Sequence, residues 1–217
     1  MREKKSQLEF VSILSSDGTF RLQVPEGTEG SETREYETSS GEKGIKHEIV
    51  FEAISGKVTG VSFATATFGT LLQITVLDDE GELTISTGTH GSFGIDLLKK
   101  LPQIKVDTNY RFAPFSFEGD NKKIIRGVSV TEDSNKDKKI KNFFWDEKKE
   151  VAIGEFPSPK GDTKKFTKNK WKSYFGEVED FLIEYTNKNI VPKFGPPAVK
   201  EGIDAFDDEI NADDIDI

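Results

Sequence analysis

Short segments in which apolar and polar residues alternate recur through the first two thirds of the chain, separated by turns rich in glycine and acidic residues. A period of two is typical of strands that bury one face. The longest such stretch begins at Ile45, runs through HEIVFEA into KVTGVSFAT, and is interrupted by Gly56 and Gly60. Because glycine inside a strand tolerates strong bending and a close approach of another backbone, we expect a coiled sheet.

The order of the predicted elements limits the folds that the chain can adopt. Two strands follow the long one, then a helix-like segment that ends before Pro102, and then further strands at 109–117, 123–131 and 139–145. The order β-β-β-α-β-β is that of an OB-fold, a five-stranded Greek-key barrel. A β-sandwich is the alternative, although it rarely places a single helix between its third and fourth strands.

We therefore expect a mainly β protein with four parts. They are an N-terminal hairpin with a mobile loop (1–40), the OB-fold barrel (41–150), a linker with a C-terminal helix packed on the barrel (151–200), and a disordered acidic tail (201–217). The helix is predicted over 167–190 because Trp171, Tyr174, Val178 and Leu182 have helical spacing.

Charge is divided unevenly along the chain, whose formal net charge is −9. Residues 121–175 hold 15 basic and 8 acidic residues, whereas residues 201–217 hold eight acidic and no basic residues. The net charge therefore reflects mainly the tail, and it says little about what the rest of the chain binds. A basic stretch alone most often indicates a solvated surface.

Several functional classes lack their sequence signals. The chain has no cysteine and no phosphate-binding, nucleophile-elbow, zinc-protease or dinucleotide-binding motif. The two histidines, His47 and His90, have no metal-type partner pattern, and the acidic run at 78–80 fits a hairpin turn better than a calcium loop. We expect no enzymatic activity, no catalytic residues, no metal and no cofactor.

The sequence also lacks the signals of export and of membrane insertion. Its first residues, MREKKSQLEF, contain no apolar core of a signal peptide, and no run is apolar over the length that a membrane span needs. We expect a cytoplasmic protein with no membrane partner.

Aromatic and basic residues are interleaved in the second half of the predicted barrel. On a strand over 139–145, alternation would place one mixed set on a single face, namely Lys139, Lys141, Phe143 and Trp145. Cations for phosphates and flat rings on which unpaired bases stack are what single-stranded nucleic acid requires. The alternative is that the two rings pack under the C-terminal helix while the lysines extend to solvent.

The preceding hairpin repeats this mixture. We expect Tyr110 and Phe112 to face the interior and Arg111 and Phe115 to face outward, with Lys123 and Arg126 beside Arg111 on the neighbouring strand. The candidate nucleic-acid-binding residues are thus Arg111, Phe115, Lys123, Arg126, Lys139, Lys141, Phe143 and Trp145.

The tail alternates acidic and isolated apolar residues. A flexible polyanion tethered beside a cationic groove would compete with DNA at high effective concentration, and once displaced it would be free to bind partner proteins. Disorder without function is the alternative. The candidate partner-binding residues are Phe206, Asp207, Asp208, Glu209, Asp213, Asp214, Asp216 and Ile217.

Four stretches together resemble the single-stranded DNA-binding proteins encoded by bacteriophages: GIKHEIVFEAISGKVTGVSF, GIDLLKKLPQI, YRFAPFSFEGDNKKIIRGVSV and the acidic tail. The resemblance covers about residues 45–146 plus the tail. It implies an OB-fold that coats single strands during replication and recombination in the host cytoplasm, and it leaves open a homo-oligomer. Tails of that family usually end on an aromatic residue, whereas this chain ends on Ile217 and its aromatic Phe206 is internal.

A β-rich structural or protein-interaction protein, such as a virion or assembly component, is the main alternative. In a DNA-binding protein the basic side chains should lie in one groove, whereas in an interaction protein they would be spread over the surface. The residues whose positions distinguish the two hypotheses are Lys123, Arg126, Lys139 and Lys141. An enzyme acting on nucleic acid would require clustered carboxylates in the same groove.

Overall fold

The computed structural model describes residues 9–37, 41–67, 69–120, 122–133, 135–149 and 151–194. The strands are β1 (Glu9–Leu14), β2 (Thr19–Val24), β3 (Glu32–Glu37), β4 (Lys43–Phe51), β5 (Ile54–Ala66), β6 (Gly69–Leu77), β7 (Glu82–Gly88), β8 (Asn109–Glu118), β9 (Ile124–Glu132), β10 (Asn135–Lys139), β11 (Trp145–Asp146) and β12 (Val151–Ala152). The helices are α1 (Ser92–Lys100) and α2 (Lys168–Asn189), with 3₁₀ turns at Leu101–Gln103, Thr163–Lys165 and Val191–Lys193. The prediction of a mainly β protein with a C-terminal helix is confirmed.

Ten of the strands form one mixed sheet in the order β10-β9-β8-β5-β6-β7-β1-β2-β4-β3. Its strand pairs are antiparallel except that β1 runs parallel to β7. After the meander β5-β6-β7, the chain passes through α1 and returns as β8 beside β5. The spatial order β8-β5-β6-β7 is that of a Greek key.

The closed five-stranded barrel is not what the described residues form. One edge, β7, pairs with β1 through Val11 and Ile85. On the other side, β9 pairs with β10 through Thr131 and Glu132, and α1 bonds β9 at Val128: the Asp96 carboxylate accepts from the Val128 N–H at 2.7 Å, and the Lys100 ammonium donates to the Val128 carbonyl at 2.6 Å. Because both edges have other partners, no β7–β9 ladder closes the described sheet.

Strand β5 pairs with β8 through Ile54–Lys57 and with β6 through Lys57–Ala66. A Cβ at Gly56 would lie 2.5 Å from the Leu77 carbonyl oxygen, and the register with β6 shifts between Val58 and Gly60. The two glycines therefore lie where the strand changes partners and bends, in agreement with the sequence-based expectation.

The N-terminal part differs from the sequence-based expectation in two ways. The stretch predicted as a mobile loop contains β3, which pairs with β4. β4 also pairs with β2. It is separate from β5, whereas the alternating pattern predicts one long strand. The polar segment is ordered here because its backbone hydrogen bonds are made to β4.

The turn between β1 and β2 contacts the β8–β9 hairpin. Gly18 has φ +67, and a Cβ on it would lie 2.5 Å from the Phe115 carbonyl carbon. Arg126 donates from Nε to the Ser15 carbonyl at 3.1 Å. The sheet thus coils until its N-terminal hairpin touches β8 and β9.

One apolar core joins the sheet and both helices. Tyr110 and Phe112 are fully buried, as expected from the sequence. Helix α1 contributes Phe93, Leu97 and Leu98, and α2 covers the same cluster with residues that include Val178 and Leu182. None of the helices in the described residues combines the length and the apolar character needed to cross a membrane.

A buried carboxylate lies between β2, β3 and β4. Glu48 accepts two hydrogen bonds from Arg34, each 2.9 Å long, and Arg21 lies 3.8 Å away. Burial raises the pKa of Glu48, but the hydrogen bond and charge of Arg34, followed by the charge of Arg21, outweigh it and hold the pKa below its ordinary value.

Candidate nucleic-acid interface

Arg111 and Lys139 share a row across three strands. Arg111 is opposite Thr131 in the β8–β9 pair, and Thr131 is opposite Lys139 in the β9–β10 pair. Directly opposed residues lie on the same face of a sheet, so both cations lie on the outer face, while Tyr110 and Phe112 point into the core. Neither cation forms an ion pair with any residue that the structure describes, so their charge is uncompensated there.

The other end of this face is aromatic. The rings of Phe115 and Phe117 lie 5.8 Å apart, and Phe117 is 53% exposed opposite the exposed Ile125. A Cβ at Gly127 would lie 2.8 Å from Cζ of Phe115, so this ring lies over the glycine. From Arg111 to Phe117 the strand extends about 20 Å. This surface, from Arg111 and Lys139 to Phe115 and Phe117, is called the β8–β9 outer face.

The segment from Lys139 to Trp145 is not the predicted strand. The Ile140 N–H donates to the Val130 carbonyl at 2.8 Å, and the Phe143 N–H donates to the Lys99 carbonyl at 2.9 Å. The Asn142 side chain accepts from the Phe144 N–H, which forms a turn. The chain therefore leaves the sheet after β10 and crosses α1.

The expected alternation of exposed and buried residues nevertheless holds. Ile140 and Phe144 are buried, and Phe144 packs against Phe156, Phe181 and Tyr185. The predicted site residues of this segment are exposed: Lys139, Lys141, Phe143 and Trp145.

Lys141 and Phe143 are each held by neighbouring elements. The Lys141 ammonium forms an ion pair with Glu147, and its carbonyl accepts from the Gln103 side chain at 2.6 Å. The Phe143 ring lies 6.2 Å from that of Tyr185 on α2. The positive charge of Lys141 is thus partly compensated, unlike that of Lys139.

Trp145 continues the exposed side as far as α2. It lines a groove of about 420 Å³ together with Phe156, Pro157 and Tyr174. Burial raises the pKa of Tyr174, with a smaller contribution from Glu177, and its hydroxyl donates to the Pro157 carbonyl at 3.3 Å. The sequence marked Trp145 as exposed, but it gave no signal that a groove would form beside it.

Lys123 and Arg126 do not lie beside Arg111, and that expectation is wrong. The register of the hairpin places Arg126 opposite Ser116, five pairs away from Arg111. Arg126 is on the inner side of the sheet, where it binds the Ser15 carbonyl, and the exposed Lys123 precedes β9 at the hairpin tip. The buried pair Phe112 and Val130 favours this register, because a shift of β9 by one residue would move Val130 to the outer face.

The remaining candidates concern metal binding and the tail. No group of three or more histidine or acidic residues placed to hold a metal occurs among the described residues. The predicted tail residues lie outside the described part of the chain: Phe206, Asp207, Asp208, Glu209, Asp213, Asp214, Asp216 and Ile217.

Comparison of the chain with protein-family models, with curated proteins and with solved structures finds no match.

Proposed function

We propose that the chain is a non-enzymatic, single-stranded DNA-binding protein that coats the strand without strong sequence preference. The observation that carries this proposal is the β8–β9 outer face, where two cations without ion partners among the described residues share a surface with two adjacent rings. Phosphates would pair with Arg111 and Lys139, and bases would stack on Phe115 and Phe117. Each stack contributes about 1–3 kcal/mol and is sequence-tolerant, because every base has a π face.

The segment at 139–145 would extend the same contact. Lys141, Phe143 and Trp145 follow Lys139 along the chain, and all three are exposed. Their order, a cation followed by two rings, repeats the chemistry of the outer face. A strand that passed along the row from Arg111 to Lys139 would therefore meet further partners for phosphates and bases.

An OB-fold is part of the proposal. Support comes from the Greek-key order of β8-β5-β6-β7, from β5 pairing with both β8 and β6, and from the helix before β8. In that fold the loop between the fourth and fifth strands contributes to oligonucleotide binding. The β8–β9 hairpin would hold that position.

The biological setting is also a proposal. A phage replication or recombination system in the host cytoplasm would supply the single-stranded DNA. The acidic tail would regulate occupancy of the cationic face and recruit replication or recombination proteins. This part rests on the charge pattern of residues 201–217.

Tryptophan fluorescence during titration with oligo-dT tests the proposal. We expect quenching, and a log–log salt plot that falls with a slope of about −0.7 per neutralised phosphate. Duplex DNA of the same length should bind more weakly, because its bases cannot stack on the rings. Binding that is absent at low salt, or equal for duplex and single strand, contradicts the proposal.

A protein-interaction role is the second candidate, and one observation favours it. Phe117, Ile124 and Ile125 expose apolar surface at the hairpin tip, and Lys123 and Arg126 are separated from Lys139 instead of forming one groove. An interaction protein would retain an exposed apolar tip of this kind. Absence of oligo-dT binding, together with a partner captured through this tip, would establish the second candidate.

A further inference from the structure

The N-terminal half of α2 carries a ladder of aromatic rings, of which Phe175 is exposed and Trp171 is half-buried. Trp171 and Phe175 lie one helical turn apart, with their rings stacked at 5.7 Å and an interplanar angle of 23°. Phe166 adds a third ring, 5.0 Å from Trp171. Phe175 is 42% exposed, although it is a large apolar residue of α2. The ladder is therefore not fully used by the core.

The ladder is continuous with the groove that contains Trp145. Tyr174 lines this groove, and its ring lies 5.9 Å from that of Trp171. Trp145 and Val151, which also line this groove, are each more than two-fifths exposed. Several large apolar side chains exposed together mark a binding surface in a folded protein.

Lysines surround these rings. Six lysines and one acidic residue occur between positions 160 and 172. Lys168 and Lys172 share a helix face with Trp171 and Phe175, since positions i, i+3, i+4 and i+7 lie on one side. Both lysines are exposed, and neither forms an ion pair with a residue in the described ranges. A further lysine, Lys170, lies 4.1 Å from the centroid of the Phe166 ring.

We propose that this surface, the α2 platform (Lys168, Trp171, Lys172 and Phe175), is a second contact for single-stranded DNA. It rests on the proposed function and extends the path of the strand. The DNA would leave the β8–β9 outer face at Lys139, pass Phe143 and Trp145, and reach α2 beside Tyr174. Along this path every step offers either an exposed ring or a lysine.

The arrangement favours DNA over an acidic peptide. A peptide with one apolar anchor would need the groove and the lysines, but it would gain little from several rings in a row. A single strand presents a flat base for each phosphate, which matches rings and cations repeated along one surface. The platform would therefore lengthen the binding site instead of forming a separate peptide site.

The two tryptophans of the chain allow each surface to be observed alone. W171F leaves Trp145 as the reporter of the 139–145 segment, and W145F leaves Trp171 as the reporter of the platform. Oligo-dT of about 6 nucleotides lies within the site size of one OB-fold module, about 4–16 nucleotides, and oligo-dT of about 25 nucleotides exceeds it. We expect both lengths to quench Trp145, and only the longer one to quench Trp171.

Charge neutralisation gives an independent readout. K168Q/K172Q should weaken binding of the long oligonucleotide about tenfold, reduce the magnitude of its salt slope by about 1.4, and leave the short one unaffected. The matched control is K188Q/K193Q, which removes two exposed lysines at the other end of the helix and should change neither affinity. All four positions are exposed, so the fold should tolerate both variants.

These experiments distinguish failure of the α2 platform from failure of DNA binding by the whole protein. Quenching of Trp145 with a silent Trp171 at both lengths, and unchanged affinity in K168Q/K172Q, overturns the platform and leaves DNA binding intact. A Trp171 that responds to a peptide of residues 203–217 but not to the long oligonucleotide also overturns the platform, because it identifies an acidic peptide as the occupant. Absence of binding to every oligonucleotide overturns both proposals.

Discussion

Arg111 and Lys139 lie on either side of Thr131 in one row of the sheet, although 28 positions separate them in the sequence. Neither has an ion pair within the described residues, so two like charges lie on one face, two strands apart, without compensation. At a separation of about 10 Å, twice the spacing of neighbouring strands, the two charges repel each other weakly. A bound phosphate would relieve this repulsion.

The close approach of the N-terminal hairpin to β8 can be tested with Gly18. G18A should lose about 2–4 kcal/mol of unfolding free energy, because an alanine must adopt φ +67 and its Cβ would lie 2.5 Å from backbone atoms of Phe115 and Ser116. Urea denaturation measures the loss. G30A is the control: Gly30 has φ +79 but nothing within 4 Å, so its cost should be only about 1 kcal/mol. Equal losses in the two variants would contradict the close approach.

Asp96 is expected to stabilise the edge of β9. D96A leaves the Val128 N–H without its carboxylate partner, at an expected cost of about 1–3 kcal/mol in unfolding free energy. D79A removes an exposed carboxylate from a turn and should change the free energy by less than about 0.5 kcal/mol. Chemical denaturation measures the free energy of unfolding of both variants. A D96A variant as stable as D79A would show that α1 does not stabilise the edge of β9.

The buried Glu48 predicts a dependence of stability on pH. Because Arg34 and Arg21 hold the folded pKa of Glu48 below its unfolded value, the carboxylate stabilises the fold above the unfolded pKa, and this contribution is lost as pH falls through the folded pKa. E48Q should lose about 2–4 kcal/mol at pH 7 and show a weaker loss on acidification than the unmodified chain.

The control for this prediction is E37Q. Glu37 pairs with Lys43, but both side chains are more than half exposed, so its loss should stay below about 1 kcal/mol. Denaturation curves at pH 7 and at acid pH measure both variants. An E48Q chain with the same acid sensitivity as the unmodified chain would refute the role of this carboxylate.

The sequence predicted those parts of the fold in which local pattern and tertiary packing agree. Helix α2 begins and ends at the bounds that the sequence predicts. Thr167 is its N-cap and accepts a hydrogen bond from the Lys170 N–H, and Ile190 ends the helix. Tyr110 and Phe112 are interior because strand alternation places both on the core face.

Other parts depended on partners that no local pattern encodes. β3 is polar, and it is a strand only because β4 supplies its hydrogen bonds. The barrel stays open because β1 pairs with β7, while β10 and α1 bond to β9. Arg126 turned inward because the hairpin register follows Phe112 and Val130. Pairing between strands that are distant in the sequence determines each of these features, and the periodicity of a single segment does not predict such pairing.

The acidic tail predicts an effect on affinity. Deletion of residues 203–217 removes a tethered polyanion that would compete for the cations, so the truncated chain should bind oligo-dT roughly tenfold more tightly at low salt. The difference should shrink as salt rises, because screening weakens both competitors. Fluorescence titration at two salt concentrations measures it. Unchanged or weaker affinity of the truncated chain at low salt would contradict competition between the tail and DNA.

The salt dependence of oligo-dT binding by R111Q/K139Q tests whether the row from Arg111 to Lys139 binds phosphates. If the row contacts phosphates, this variant should bind more weakly, and the magnitude of its log–log salt slope should fall by about 1.4, the value for two phosphate contacts with a single strand. K188Q/K193Q, which removes two exposed lysines far from the row in sequence, should retain the original slope. A slope in R111Q/K139Q equal to that of the unmodified chain would contradict DNA binding at the β8–β9 outer face.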